Sequence, residues 1–160
     1  MAAEADPLKG TFETDPISAL GLPAPVSIGS DATVGAALRA VQTRGQGYVL
    51  VVEDGRPRGL MSEREVLMKV VARDVKYESN VMDFVSPIRH TLTPRDPLAA
   101  AVKLMLHDAA ETIPVVDGTG KAVAVLRTLD IIHFLAEAFP GQILNLPPRP
   151  HQEMSTLEGG

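Results

Sequence analysis

Hydrophobic and polar positions follow one recurring order along the chain: a helical stripe, two short strands joined by a turn, and a second helical stripe. The pattern is clearest in residues 111–139, where Thr112–Asp117 and Ala122–Leu126 are short apolar runs separated by glycines. Such runs predict a β-hairpin. Apolar residues then recur at helical spacing, with Thr128 placed to cap the helix. A strand is therefore predicted to lead directly into a helix N-terminus.

The same order is found in the first half of the chain. The predicted elements are a helix from Ala32 to Arg44 capped by Asp31, strands Tyr48–Glu53 and Pro57–Met61 around an Asp-Gly turn, and a helix ending near Arg73. Ser62 and Glu65 match the capping-box pattern, in which the carboxylate bonds back to the backbone at the cap. The last of these helices is therefore predicted to begin directly after a strand.

A connector, Val75–Ser86, separates the two halves and is predicted to contain a helical turn at Val81–Phe84. Asp96 is predicted to cap the next helix, with Pro97 at its first position, where a missing N–H is tolerated. The buried stripe of that helix is predicted to be Leu98, Ala101, Val102 and Met105.

The two halves form an internal repeat. Matching residues lie 64 apart before the turn and 65 apart after it, as in the pairs Val34 and Leu98, Ala37 and Ala101, Val51 and Val115, Gly55 and Gly120, and Glu65 and Asp130. A unit this small cannot bury its sheet face alone, so the copies are expected to pack about a pseudo-twofold axis with a ligand cleft between them. We predict an α/β (α+β) fold with repeats at residues 25–80 and 81–139.

The two ends of the chain differ from this body. Residues 1–24 carry prolines and scattered acids, and predict a loosely ordered arm with at most a short helix around Ile17–Leu20. Residues 140–160 are rich in proline and predict a tail whose end is mobile. Its apolar residues Ile143, Leu144 and Leu146 are candidates to dock on the body.

Composition excludes several classes of function. The 160 residues are 45% hydrophobic and 22% charged, as in soluble globular proteins, and no apolar run approaches the ~20 residues of a membrane helix. The net charge of −5 and the absence of a basic run argue against a nucleic-acid partner. Without a secretory signal, the cytoplasm is the expected compartment. The lack of cysteine excludes disulfides, thiolate metal sites and a cysteine nucleophile.

Catalytic and metal-binding chemistry has little support. The four histidines, His90, His107, His133 and His151, lie far apart without metal-binding spacing, so structural or surface roles are favoured. Ser62 has no recognisable base partner, and the DGTG at residues 117–120 joins two strands and lacks the ending of a phosphate loop. The chain is therefore not predicted to be an enzyme.

The junction between strand and helix at residues 127–130 is a candidate binding site. It gathers unpaired N–H groups and the positive end of the helix dipole, which suit a phosphate or a ligand rich in hydroxyls. Arg127 can bond to phosphate oxygens, and Asp130 can accept from two neighbouring sugar hydroxyls. The alternative is structural: Thr128 caps the helix and Asp130 complements its dipole.

The order of elements in each half, with the segments VLVVEDGRPRGLMSEREVL and PVVDGTGKAVAVLRTLDI, resembles the CBS domain, named after cystathionine β-synthase. The resemblance covers about Pro25 to Ala138, and VMDFVSPI at Val81–Ile88 is similar to the segment that leads into the second repeat of that family. Paired CBS repeats, or Bateman modules, typically bind adenosine nucleotides and commonly dimerise into a flat disc. The resemblance implies both properties for this chain.

In that family a Ser or Thr meets phosphate, an Asp three residues later holds ribose, and the lead-in segment and following strand line the adenine pocket. By resemblance, a second site would use Ile88, Thr112, Ile113 and Pro114 around the base, Asp130 for ribose, and Arg127 and Thr128 for phosphate. A first site would use Ala24–Val26, Tyr48, Ser62 and Glu65, with Arg64 either reaching phosphate or pointing to solvent.

Both sites depart from the family pattern. Glu65 stands where Asp is usual, and its extra methylene displaces the carboxylate from a bidentate ribose contact, so that helix capping is the alternative role. Ala124 replaces the usual glycine and Arg127 the usual hydroxyl residue; the arginine either clamps phosphate or narrows the site. The second site is the predicted nucleotide site.

The predicted function is that of a stand-alone regulatory module. It would bind AMP, ADP or ATP, with S-adenosylmethionine as a further candidate, and convert occupancy into a conformational or dimer change. The alternative is a structural homodimer whose degenerate sites hold no nucleotide. The regulated protein is expected to be a separate chain, which the sequence does not identify.

Overall fold

The structure is a computed structural model that describes residues 7–139. The predicted tail at residues 140–160, with its docking candidates Ile143, Leu144 and Leu146 and with His151, lies outside this part, as do residues 1–6. The helices are α1 (Pro7–Thr14), α2 (Val34–Gln42), α3 (residues 63–73), α4 (Leu98–His107) and α5 (Thr128–Ala138). The strands are β1 (Ser27–Gly29), β2 (Tyr48–Glu53), β3 (Arg56–Ser62), β4 (Ser86–Pro87), β5 (Thr112–Val116) and β6 (Ala122–Arg127).

The register of the sheets confirms the internal repeat. In the first half Ile28 pairs in parallel with Val51, and in the second half Leu92 pairs in parallel with Val115, with both partners shifted by 64 residues. Each hairpin, β2 with β3 and β5 with β6, also carries an irregularity directly after that valine. The predicted α+β fold of two like units is therefore confirmed down to the position of a bulge.

Each repeat receives the segment that leads into the other one. The Val81 N–H donates to the carbonyl of Ala32, and the Ile17 N–H donates to the carbonyl of Asp96; Val81 lies 64 residues after Ile17, and Asp96 lies 64 residues after Ala32. The two segments form matching 3-10 turns, Ile17–Leu20 and Val81–Asp83, as the sequence predicted. This exchange brings parts of both repeats to each end of the cleft.

Strand β4 makes the same exchange within a sheet, since it adds to the edge of β3 in the first repeat. Gly59 pairs with Pro87 there and is buried. A Cβ on Gly59 would lie 2.8 Å from the Cβ of Val85, closer than two such carbons approach. The absence of a side chain at residue 59 therefore allows the lead-in to pack directly on this strand.

The core consists of two apolar clusters, one for each repeat. Buried residues of the first come mainly from α2, β2 and β3, with Val81 from the lead-in to the second repeat and Val125 from β6. Those of the second come from α4, β5, β6 and α5, with Ile17 from the N-terminal segment. Burial of the apolar side chains of each lead-in segment therefore stabilises the repeat on which that segment packs.

The N-terminal segment differs from the loosely ordered arm that was predicted. Residues 7–14 form α1, and Ile17 is only 2% exposed. Phe12, Leu20 and Leu22 pack against the second cluster, far along the chain. Isolated apolar residues without local periodicity are ordered here by tertiary contacts, which a sequence pattern does not reveal.

Two predicted helix caps are wrong. The cap of α2 is Thr33, whose Oγ1 accepts from the Ala36 N–H at 3.1 Å, and not Asp31. The carboxylate of Asp96 instead accepts from the Thr93 N–H at 2.7 Å, and α4 begins one residue later than predicted, with Pro97 at the cap position. Asp and Thr compete for such positions at similar energy, so the turn that precedes the helix decides between them.

Candidate functional site

Two comparable niches form where a strand of one repeat enters a helix beside the lead-in of the other. The first, the Ser62 niche, is a cavity of about 480 Å³, within the size range of small-molecule sites. Its lining is Leu60, Ser62, Arg64 and Glu65 from the first repeat, and residues 86–90 and 108–114 from the second. The second, the Arg127 niche, lies around Arg127, Asp130 and Gln46.

The predicted grouping of site residues is wrong, because each helix start faces the lead-in and strand of the other repeat. Ile88 and Thr112–Pro114 line the cavity with Ser62, Arg64 and Glu65, and not with Arg127 and Asp130. Within the described part of the chain, neither Tyr48 nor residues 24–26 line the Ser62 niche. Each niche thus takes its helix start from one repeat and its lead-in and strand from the other.

Glu65 is the centre of the polar network in the Ser62 niche. Its Oε2 accepts from the Ser62 N–H at 2.8 Å and from the Ser62 hydroxyl, which confirms the predicted return bond of the capping box. Its Oε1 accepts from the Ser86 hydroxyl at 2.8 Å, and Lys69 Nζ donates to the same Ser86 oxygen at 3.0 Å. A carboxylate oxygen accepts two hydrogen bonds, so Oε1 has capacity for one further donor.

This network holds Glu65 in its ionised form. Partial burial by itself would raise the pKa of Glu65, but the hydrogen bonds from Ser62 and Ser86 outweigh it and bring the pKa below its usual value. At neutral pH the niche therefore presents a fixed negative acceptor at the point where a strand ends and a helix begins.

The remaining walls of the Ser62 niche combine apolar surface with charges of both signs. Leu60, Ile88, Ile113 and Pro114 supply apolar groups on which a flat ring can lie. The charged side chains are Arg64 and Arg89 on one hand and Glu65, Asp108 and Glu111 on the other. His90 also lies there, with Nε2 at 3.1 Å from Asp108 Oδ2. Two arginines thus stand against three carboxylates, which gives the niche little net charge.

In the Arg127 niche the guanidinium occupies the place next to the carboxylate. Arg127 Nη2 donates to Asp130 Oδ1 at 2.7 Å, Nε donates to Oδ2 at 3.2 Å, and Nη1 donates to the Gln46 carbonyl at 3.0 Å. The two side chains are only 19% and 13% exposed. The bonds to Asp130 raise the pKa of Arg127, so the guanidinium stays charged at any ordinary pH.

Tyr48 also fills space on this side of the cleft. Its ring is 3% exposed, its oxygen accepts from the Val26 N–H at 3.3 Å, and burial raises its pKa. A cavity between residues 20–23 and α5, lined in part by Asp130, has a volume of about 160 Å³, a third of that of the Ser62 niche. Because its guanidinium lies against Asp130, Arg127 narrows the site, the second of the two roles considered for it.

Thr128 does not cap the helix as predicted. Its hydroxyl donates to Met105 Sδ at 3.6 Å, and Arg127 holds the cap position of α5. Asp130 does bond back to the helix start, since its Oδ2 accepts from the Arg127 N–H at 2.8 Å. This is the same return bond that Glu65 makes to Ser62, and it supports the structural alternative for Asp130.

Sequence reasoning missed Ser86, Arg89, His90, Lys69 and Gln46, which line or contact the two niches. The first three belong to the lead-in, of which the sequence analysis singled out only Ile88. The offset of 64 residues could have found them, because it relates residues 86–90 to residues 22–26. Gln46 acts through its carbonyl, for which a sequence carries no signal.

Comparison with known proteins identifies the class to which this architecture belongs. The family model of the CBS domain matches residues 17–72 and 80–137. The chain therefore belongs to the CBS domain family and carries two copies of the domain in tandem. The first match begins within the N-terminal segment, in agreement with the exchange of Ile17 onto the second repeat.

Individual relatives are distant. An uncharacterized protein of Methanopyrus kandleri is 29% identical over 94 residues, which are 58% of this chain and 48% of that protein, so the chain spans about half its length. A CBS domain protein of Pyrobaculum aerophilum, solved in complex with AMP, is 24% identical, with a TM-score of 0.67 over 76% of this chain and 98% of its own. These likenesses establish the fold.

A further solved structure is the CBS domain pair of protein MJ0100, in complex with 5′-methylthioadenosine and S-adenosyl-L-methionine. It is 15% identical, with a TM-score of 0.69 over 78% of this chain and 98% of its own.

No helix within residues 7–139 is long and apolar enough to cross a membrane.

Proposed function

We propose that the chain is a regulatory CBS pair that binds an adenine nucleotide in the Ser62 niche. The observation that carries the proposal is the combination, in one cavity of about 480 Å³, of an apolar wall, a fixed carboxylate with hydroxyls, and two arginines. These groups match the base, the sugar and the phosphate of a nucleotide. Adenosine ligands in the two solved relatives support the same choice.

Each part of such a ligand has a partner in the niche. The base would lie against Ile88 and Pro114, a sugar hydroxyl would donate to Glu65 Oε1, and the phosphate would meet Arg64 or Arg89. Glu65 offers one oxygen to the sugar rather than two, because Ser62 already takes up the other.

The balance of charge favours a ligand of low net charge. Two arginines and three carboxylates line the niche, so each additional phosphate adds repulsion from the acids once the arginines are paired. AMP and S-adenosylmethionine are therefore favoured over ADP, and ADP over ATP.

The helix that begins at the niche also provides a route for the response. Glu65 and Arg64 belong to α3, whose central part, Val66–Val70, is π-helical. Leu67 and Val71 on the same helix are 62% and 64% exposed. We propose that this apolar surface contacts a second copy of the chain, and that ligand at the niche shifts the dimer through α3. Such a shift requires different ligand affinities in the two states.

Isothermal titration calorimetry with AMP, ADP, ATP and S-adenosylmethionine tests the proposal. We expect binding of at least one of them, and a loss of about tenfold or more in E65A, which removes a charged hydrogen-bond acceptor. E63A is the matched control, because Glu63 lies in the same first turn of α3 as Glu65 but does not line the cavity. No heat from any ligand at millimolar concentration, or equal losses in both variants, would overturn it.

The second candidate function is a structural dimer that binds no nucleotide. The blocked Arg127 niche and the exposed apolar residues of α3 favour it. It predicts a dimer by sedimentation whose melting temperature does not respond to any nucleotide, whereas a binding pair is stabilised in proportion to ligand excess.

A further inference from the structure

The two niches differ at positions that the internal repeat makes equivalent. Ser62, at the end of β3, corresponds to Arg127 at the end of β6, and Glu65 corresponds to Asp130. In both niches the carboxylate bonds back to the N–H at the cap position, at 2.8 Å in each case. The two helix starts are therefore alike at this bond, and they differ in the side chains at these positions.

Arg127 satisfies the groups that a ligand would otherwise meet. Both oxygens of Asp130 accept from the guanidinium, so the pair of acceptors suited to neighbouring sugar hydroxyls is taken. The third bond, to the Gln46 carbonyl, spans 81 residues and links the start of β2 to the end of β6. In the other niche the residue equivalent to Gln46 is Ala110, which lines the cavity.

We propose that Arg127 acts as a built-in occupant of the second niche, so that each chain binds one nucleotide, in the Ser62 niche only. The Tyr48 ring completes the closure; its counterpart is Thr112, whose smaller side chain lines the other cavity. This inference rests on the proposed function for the identity of the ligand. It adds that the second of the two niches is occupied by a side chain of the protein itself.

A second consequence concerns the response to ligand. Since Arg127 bonds to Gln46 in the other repeat, the two repeats are tied together at this niche by a charged side chain of the chain itself. At the Ser62 niche a ligand would supply the corresponding link. Occupancy is therefore expected to change the contact between repeats on one side only.

The test is the number of AMP molecules bound per folded chain, measured by calorimetry on the full-length protein. Wild type is expected to bind one. R127S and Y48T/R127S place in the Arg127 niche the small side chains that the Ser62 niche has at the equivalent positions. The double variant is expected to bind two AMP molecules. R127S keeps the Tyr48 ring in the core, and is expected to admit a second, weaker AMP even where the double variant does not fold. Circular dichroism establishes which variants are folded.

The outcomes separate this inference from the proposed function. If wild type binds none of AMP, ADP, ATP and S-adenosylmethionine but a folded variant binds one AMP, the proposed function is wrong, and only the assignment of Arg127 as the occupant of the second niche stands. Two AMP molecules on wild type, or one AMP on wild type and on every folded variant, overturn the inference and leave the proposed function intact. If no form binds AMP, the inference is overturned, and the proposed function is overturned with it when wild type also binds none of ADP, ATP and S-adenosylmethionine.

Discussion

The Ser62 and Arg127 niches are two versions of one site, built from equivalent positions with the same register. Tyr48 pairs with Ser62 in one hairpin and Thr112 pairs with Arg127 in the other, so each hairpin holds one large and one small residue. The packing of each helix start against the strand of the other repeat sorts these residues by size. Both large side chains end up on one side of the cleft, and both small ones line the other.

The comparison shows that side chains determine whether a cavity is present. The backbone bond at the helix start is the same in both niches. In each niche a carboxylate bonds back to the cap position with one oxygen. In one niche its neighbours are serine hydroxyls and in the other a guanidinium. A fold assignment therefore does not determine which of two repeated sites accepts a ligand.

The largest effect is expected from making the Ser62 niche resemble its counterpart. In S62R the guanidinium has Glu65 within reach, as Arg127 has Asp130, and should pair with it and fill the cavity. We expect a loss in AMP affinity of at least ~100-fold by calorimetry, because both space and acceptor are lost. S18R, on an exposed turn, is the matched control. Unchanged binding in S62R would place the ligand elsewhere.

The next effect concerns stability. D130A leaves the Arg127 guanidinium mostly buried without its carboxylate, and we expect a loss of about 2 kcal/mol in the free energy of unfolding. This replaces the expectation from sequence that Asp130 holds a ribose. Chemical denaturation measures the change, and D108A is the control. Its pair with His90 is 47% and 34% exposed on the two side chains and should contribute at most about 0.5 kcal/mol.

Should both variants lose the same stability, Arg127 and Asp130 would not form the buried pair described. A loss of AMP binding in D130A without a loss of stability would contradict the assignment of Asp130 to the closed niche.

The sequence predicted the repeated fold well, because periodicity and turn residues act locally. The hairpins, the capping box at Ser62 and Glu65, and the offset of 64 residues all follow from neighbours in the chain. The pairing of site residues could not be predicted in the same way. It depends on each helix start facing the lead-in and strand of the other repeat, and such long-range contacts leave no periodic signal.

A smaller effect is the dependence of stability on pH. Because hydrogen bonds lower the pKa of Glu65 in the folded state, its ionised form stabilises the fold above the usual pKa, and this contribution is lost as pH falls through the lowered value. E65Q should therefore be less stable than wild type near neutral pH, and the gap should shrink as pH falls below the usual pKa of a glutamate and through the lowered value. Denaturation midpoints measure it, with E63Q as control. A gap that does not vary with pH would contradict the ionic role.

The smallest effect distinguishes the phosphate end of the Ser62 niche from its sugar end. Arg64 is exposed and lines the cavity, so its attraction for phosphate is screened by solvent and salt. In R64Q we expect AMP to bind about threefold more weakly, which corresponds to ~0.7 kcal/mol, and adenosine to bind as in wild type. R73Q, at the far end of α3 and outside the cavity, should change neither affinity. Equal losses for AMP and adenosine in R64Q would show that Arg64 contacts the nucleoside. The phosphate would then be bound by Arg89, which lies in the lead-in of the second repeat.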